Sequence, residues 1–342
     1  RPQTLRYSKI INIFSLNHAQ SNAEGILNRL TSHKRSTPIM MLDRMEGNAE
    51  LKTSVQQMLA TRRLTHSVLL VGEAGLGTGF AARCIAADYL YPAKAGKRDS
   101  GTVETGIVRE AISVSGMGSG GKYLVGQVTA MRSEIFNTSL SAEGRAVLLY
   151  HVERMNEESA NALLKVMEEP PEGVLFLLTA DSLASVLPTI RSRCVSFAVA
   201  PVSPADCTRY CAAQGVDKKT AALYSELFDG HIGTVLAVAR DEARAAQVEK
   251  ALELARAAAA RDSYTAAVLL AAYEKDKAAA AALLTDFRAV AAAGLRSSPR
   301  APVQGTQARQ AVRLADAALQ RLGAQVNPKV VLSVFAAKLR TL

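Results

Sequence analysis

The chain has 342 residues, of which 49% are apolar, four are cysteine and none is tryptophan, with a formal net charge of +10. That length allows two or three domains with real cores. No stretch approaches the roughly 18 uninterrupted apolar residues of a membrane span. Cys84, Cys194, Cys207 and Cys211 lack the spacing of a disulfide framework, which suits a reducing cytoplasm.

The first 40 residues hold six basic side chains (Arg1, Arg6, Lys9, Arg29, Lys34, Arg35) against Glu24 alone. Half of the net charge therefore sits there, and the rest of the chain is only mildly basic. Such a body permits nucleic-acid contact without demanding it, and the shortage of aromatics argues against a stacking single-strand reader. The segment has no signal-peptide order. A transit peptide is one reading, and an upstream extension ahead of Met40 and Met41 is the preferred one; the segment is kept outside the fold.

Three short apolar runs follow as buried strands: "HSVLLVG" (66–72), "RAVLLYHV" (145–152) and "GVLFLLTA" (173–180). Continuous Val, Leu and Phe suit parallel strands covered on both faces. Helical patterns lie between them at 80–90 and 125–136. The clearest helix is "NEESANALLKVMEEPP": Asn156 caps it, Glu157 and Glu158 occupy the first turn, and Pro170 and Pro171 stop it. Ala160, Leu163, Leu164 and Met167 form one apolar face. Residues 92–122 read as an exposed Gly/Ser/Lys-rich insert, with one strand at "AISVSG". The alternation predicts an α/β domain with a parallel sheet over 41–200, a small helical domain over 201–241 and an Ala-rich helical domain over 242–342.

The stretch "VGEAGLGTGF" (71–80) poses the functional question. Gly72 and Gly77 have the spacing of the nucleotide loop G-x-x-x-x-G-K-[ST], but Thr78 stands at the lysine and Gly79 at the hydroxyl. The loop keeps a backbone cradle and lacks both ligands for phosphate and Mg²⁺. Two other readings stay open. Gly75, Gly77 and Gly79 partly match a dinucleotide fingerprint, whose third glycine is blocked by Phe80. A turn that simply needs glycines explains them as well. Hydrolysis also needs a carboxylate at the end of a neighbouring strand. "AVLLYHVERMN" offers His151 and Val152 there, with Glu153 one position late and, on a strand, facing the other way. His151 is a candidate base or a structural histidine.

"NALLKVMEEPP" (161–171), "LPTIRSRC" (187–194), "LTHSVLLVGEAGLG" (64–77) and "NPKVVLSVFAAKLRTL" (327–342), in this order, resemble the bacterial clamp-loader branch of the AAA+ proteins. The resemblance covers 41–342. It implies an α/β AAA+ domain, a helical lid and a helical collar. Within the family the chain is most similar to the delta-prime type of DNA polymerase III, which keeps the fold without a working ATP site. Thr78, Gly79, the missing acids at His151 and Val152, and Thr234 near the place of the "sensor 2" arginine all agree with that.

The resemblance gives Arg193 the role of an arginine finger offered to a neighbouring ATPase subunit, with Ser192 and Cys194 placing it; an ordinary surface arginine is the reading without it. It implies as partners the clamp-loader ATPase subunits, the delta subunit, a sliding clamp and primer–template DNA. It leaves Gly72, Gly75, Gly77, Thr78 and Gly79 as a degenerate loop with no ATP or Mg²⁺. Relatives often carry a four-cysteine zinc module after the loop helix. Here the region 92–122 has no cysteine, and Cys207 and Cys211, four apart on a helix, lack two further ligands, so no metal is expected. "VGQVTAMR" puts Val128 and Thr129 where relatives have Ile-Arg. Lys122 and Arg132 become candidate DNA contacts, with solvated surface charge as the plainer alternative. The expected location is the cytoplasm, with no membrane contact. The rival readings are a gamma-type ATPase subunit and an AAA+ scaffold outside any loader.

Overall fold

The computed structural model describes residues 40–61, 64–91, 111–137, 144–324 and 326–342. The expectations for residues 1–39 and for most of the 92–122 insert lie outside the described residues.

A five-stranded, wholly parallel sheet forms the first half: β1 (Ser67–Val71), β2 (Ala111–Val114), β3 (Arg145–Leu149), β4 (Val174–Ala180) and β5 (Val195–Ala198), in the order β2-β3-β4-β1-β5. The register aligns Leu69 with Leu178 of β4 and with Ser196 of β5. Helices cover both faces: α1 (Ala49–Ala60), α2 (Thr78–Leu90), α3 (Val125–Asn137), α4 (Glu157–Glu168) and the single turn α5 (Pro188–Arg191).

Strand alternation sorts the core. Val68, Leu70, Leu148, Leu175 and Leu177 pack with Ala81, Cys84 and Ile85 of α2 on one face. Leu69, Val147, Leu149, Phe176 and Leu178 pack with Val128 and Met131 of α3 and Leu163 and Met167 of α4 on the other. Every side chain of β4 is buried, as its unbroken apolar run requires. The Asn156 side chain accepts a hydrogen bond from the Ser159 amide at 2.9 Å, the cap expected for α4.

One strand is shorter than its sequence suggests. β3 stops at Leu149 instead of running to Val152, because His151 takes the left-handed conformation at φ 57° and Val152–Arg154 form a 3-10 turn. Glu153 is therefore not a strand residue facing the opposite side; the turn folds it back onto His151.

The rest of the chain is helical: α6 (Pro204–Ala213), α7 (Lys218–Leu227), α8 (Ile232–Arg240), α9 (Glu242–Ala259), α10 (Ser263–Ala271), α11 (Lys277–Leu295), α12 (Gly305–Gly323) and α13 (Pro328–Leu339). One apolar core runs from Cys207 in α6 to Leu339 in α13. The long Ala-rich pattern after Asp262 breaks into α10 and α11 because the Asp276 side chain accepts from the Ala278 and Ala279 amides and starts a new helix. Helix α11 is long and apolar enough to cross a membrane by length and composition, and half of that stretch is buried inside this core.

Candidate functional site

The glycine loop joins the C-terminal end of β1 to α2. Gly75 and Gly77 both have positive φ, at 90° and 93°, which side chains rarely tolerate. Gly77 is the N-cap of α2, and Thr78 begins the helix. The turn of a nucleotide loop is thus present, and at Gly75 the helical half of the chain packs against it. The Gly75 carbonyl oxygen accepts from the Gly233 amide at 2.8 Å. A Cβ at Gly75 would overlap Thr234 Oγ1, so the first turn of α8 rests directly on the loop.

The position of the missing hydroxyl is also occupied. A Cβ at Gly79 would lie 3.3 Å from the Tyr150 ring and 3.5 Å from Arg83 Nη1. Tyr150 sits just past β3, where its amide donates to the Val114 carbonyl oxygen at 3.0 Å and its own carbonyl accepts from Tyr123 Oη at 2.5 Å. Nothing in the sequence spacing marked Tyr150 as the neighbour of Gly79; it is a contact between two segments 70 residues apart.

Two hollows flank the loop. One, of about 390 Å³, is lined by Gly72, Glu73, Leu76, Asp181, Asp229 and His231, among others, and holds no lysine or arginine. Of its three carboxylates, Asp229 pairs with Arg296 at 3.1 Å, Glu73 lies 3.5 Å from His231 Nε2 and Asp181 lies 3.5 Å from His151 Nδ1. The other, of about 540 Å³, lies between α2, α6 and α8; Phe80, Arg83, Tyr210, Leu236 and Arg240 are among its walls.

His151 stands at the C-terminal edge of the sheet. Its amide donates to Thr179 Oγ1 at 3.1 Å, and its Nδ1 lies 3.2 Å from Glu153 Oε1 and 3.5 Å from Asp181 Oδ1. These three side chains form the one group among the described residues whose donor atoms, all within 4.8 Å of one another, could hold a metal ion. The imidazole thus lies between two carboxylates, and the three side chains satisfy one another.

Arg193 lies elsewhere. It precedes β5, whereas the glycine loop follows β1, and the two strands run parallel side by side. Arg193 is therefore at the N-terminal end of the sheet and the loop at its C-terminal end, separated by the length of a strand, roughly 13–16 Å at 3.3 Å per residue. Ser192 Oγ donates to the Thr189 carbonyl oxygen at 3.1 Å and helps to set the turn. Cys194 is half-buried and its thiol is pushed up to about 12 by burial, which makes it inert as a nucleophile. Glu168, at the end of α4, pairs with Arg193 at 2.6 Å, a contact that sequence reasoning missed.

Lys122 and Arg132 are both exposed, the former in the loop before α3 and the latter on α3. The Arg132 guanidinium lies 5.9 Å from the centre of the exposed Phe136 ring. Val128 is buried in the core and Thr129 returns its hydroxyl to the Val125 carbonyl oxygen, so neither reaches outward as a cation would. Cys207 and Cys211 face the helical core without any exposure.

Known proteins match this arrangement. A family model described as "DNA polymerase III, delta subunit" matches residues 47–203. DNA polymerase III subunit delta' of Haemophilus influenzae is 32% identical over 138 residues, covering 38% of this chain and 41% of that one. Its Bacillus subtilis counterpart is 27% identical over 164 residues, covering 45% and 49%. These matches support a clamp-loader-family subunit. DNA polymerase III subunit gamma of Buchnera aphidicola from Acyrthosiphon pisum is also similar, 26% identical over 170 residues and covering 46% and 44%. The matched stretch thus spans less than half the length of these curated relatives. The likeness in fold extends further along the chain: the crystal structure of a DNA polymerase III gamma subunit-related protein from Thermotoga maritima superposes with a TM-score of 0.51 at 17% identity, covering 84% of this chain and 98% of that one.

Proposed function

We propose that this chain is a non-hydrolysing, delta-prime-like stator of a DNA polymerase III clamp loader, which lends Arg193 to the ATP site of a neighbouring subunit. The observation that carries the reading is the placement of Arg193 and the glycine loop at opposite ends of the sheet. An arginine so placed has no reach to its own loop, and it is presented to whatever packs on the far side. Its planar, always charged fork suits phosphate oxygens, and a finger supplied in trans is worth about 10³–10⁵ in rate.

The chain's own loop supports the same reading. Thr78 supplies no cation at the lysine position and Gly79 no hydroxyl at the next, the Tyr150 ring crowds position 79, and α8 is seated on Gly75. A charge-assisted bond contributes roughly 1.5–3 kcal/mol, so each loss lowers nucleotide affinity about tenfold or more. The partners of this stator are clamp-loader ATPase subunits, a delta subunit, a sliding clamp and primer–template DNA, in the cytoplasm. Lys122 and Arg132 would meet the DNA backbone there, without sequence preference. No resident ATP, Mg²⁺ or zinc is part of this reading.

A gamma-type ATPase is the second reading. It is favoured by the 540 Å³ hollow beside the loop, which is large enough for a small ligand.

Calorimetry and phosphate release on the purified chain with Mg·ATP separate the two. The stator neither binds nor turns over nucleotide at millimolar concentration, whereas tight binding or turnover moves the chain to the ATPase class. Arg193→Ala in a complex with the ATPase subunits of the same genome then silences their hydrolysis. An unchanged rate would remove the finger.

A further inference from the structure

Arg193 is held, not loose. Its Nη1 donates to the Thr189 carbonyl oxygen at 3.1 Å and to Ser192 Oγ at 3.4 Å, while its Nη2 donates to Glu168 Oε1 at 2.6 Å. Two of these acceptors belong to the turn that carries the arginine. Glu168 comes from another element, the last residue of α4, and ties the side chain to the body of the domain. A guanidinium has five N–H donors. These contacts engage Nη1 and one proton of Nη2, and leave Nε–H with the other Nη2 proton for an oxygen outside the chain.

We infer that Glu168 is a positioning residue for Arg193: it fixes the guanidinium so that its remaining N–H groups are presented to the neighbouring subunit. The inference rests on the finger role proposed above. Arginine is long and has several rotatable bonds, and a group that must meet a transferring phosphate gains from having its rotamers fixed beforehand. Ile190, buried in the core with Leu163 and Met167 of α4, holds the turn itself; the Thr189 and Ser192 contacts are local to that turn, and Glu168 ties the guanidinium head to α4. The opposite role, a brake that withholds the finger, does not suit the pair. Arg193 is 36% exposed and Glu168 51%. An exposed pair of this kind biases an equilibrium by no more than about fivefold, too little to compete with a polyanionic phosphate for the same cation. Glu168 is also placed where the sequence demands little else of it. It is the last residue of α4, exposed, and the apolar face of that helix is carried by Leu163, Leu164 and Met167.

The test uses the full chain assembled with the ATPase subunits of the same genome, in four forms: unaltered, Glu168→Ala, Glu168→Gln and Arg193→Ala. We expect Glu168→Ala to lower kcat for ATP about two- to fivefold, the range open to an exposed pair, with KM within twofold, and Glu168→Gln, which keeps an acceptor oxygen at the same reach, to recover most of the rate. Melting of the isolated chain is expected to be the same for all four, because the pair is exposed; this separates positioning from loss of fold. If Arg193→Ala silences hydrolysis while Glu168→Ala leaves kcat unchanged or raises it, the positioning role is wrong and the finger stands. If Arg193→Ala itself has no effect, the finger reading falls and the inference falls with it.

Discussion

The Gly75 carbonyl oxygen accepts a hydrogen bond from the Gly233 amide at 2.8 Å, so the loop after β1 and the first turn of α8 meet backbone to backbone. Such an approach is open only to residues without side chains. A Cβ at Gly233 would lie 2.9 Å from the Gly75 oxygen, and one at Gly75 would run into Thr234 Oγ1. The contact seats the helical second half of the chain on the α/β domain at the glycine loop.

Gly75→Ala therefore carries two penalties, a left-handed φ of 90° and a clash with Thr234. The expected loss of stability is about 2–3 kcal/mol. Replacing Thr234 by Ala as well removes the overlap with Oγ1 and leaves the backbone strain and the 3.1 Å contacts with the Cβ and amide of residue 234, so the double variant should recover part of the loss in a denaturant titration. A Gly75→Ala chain as stable as the unaltered one would mean that α8 is not seated on the loop.

A second joint lies within the helical half. Arg244 at the start of α9 makes a bidentate pair with Asp286 of α11, with both N···O distances 2.6 Å and the Asp286 side chain only 4% exposed. Removing one partner strands a buried charge. Arg244→Ala should cost about 3 kcal/mol, whereas Arg244→Met with Asp286→Leu should cost far less, since a packed apolar pair needs no partner. Equal losses in the single and double variants would show that the pair's packing, not its charge, matters.

The pH dependence has one identifiable source in the buried carboxylate of Asp88. It accepts the amides of Met41 and Leu42, at 2.7 and 3.0 Å, and so pins the segment before α1 to α2. Burial, the largest influence, pushes its pKa up to about 6; the two amide bonds pull the other way, and Asp43 adds a little to the rise. A carboxyl with a raised native pKa binds its proton more tightly folded than unfolded. Its contribution to stability is complete below about pH 4 and is lost as pH rises through about 6. Between pH 7.5 and pH 5 the unaltered chain should gain about 1 kcal/mol relative to Asp88→Asn, which has no proton to take up. Parallel stability profiles for the two chains would place Asp88 in an ordinary environment.

Much of this was legible beforehand because it is local. The strands β1 and β4, the Asn156 cap of α4, the missing lysine at Thr78 and the arginine in "SRC" are all properties of a few consecutive residues. What escaped is contact across the fold. The end of β3 was misread because Tyr150 and Val152 look like strand residues, and only the left-handed turn at His151 shows that the chain has left the sheet. That turn brings Glu153 back beside His151 and Asp181, three residues from two loops whose meeting no spacing announces. Glu168 carries no mark in the sequence; its partner Arg193 lies 25 positions on, and their meeting depends on how α5 packs against α4.

The same kind of contact bears on whether the loop can be repaired. Placing Lys at Thr78 and Thr at Gly79 restores the letters of the nucleotide motif. The new side chain at position 79 meets the Tyr150 ring at 3.3 Å, closer than most Cβ atoms approach a neighbour, so Gly79→Thr should lower stability by about 1–3 kcal/mol through overpacking. Tyr150→Ala in the same chain opens the space and should return part of that loss, although the Tyr150 ring leaves a hollow of its own. The double variant of Thr78 and Gly79 should gain no measurable ATP binding by calorimetry, since the Tyr150 ring still crowds position 79 and Glu73, Asp181 and Asp229 still line the flank of the loop. Binding gained by those two substitutions alone would mean that Tyr150 swings away readily and that the cradle is intact but for its two missing ligands. Binding gained only when Tyr150 is also shortened would identify that ring as the third element of the loss.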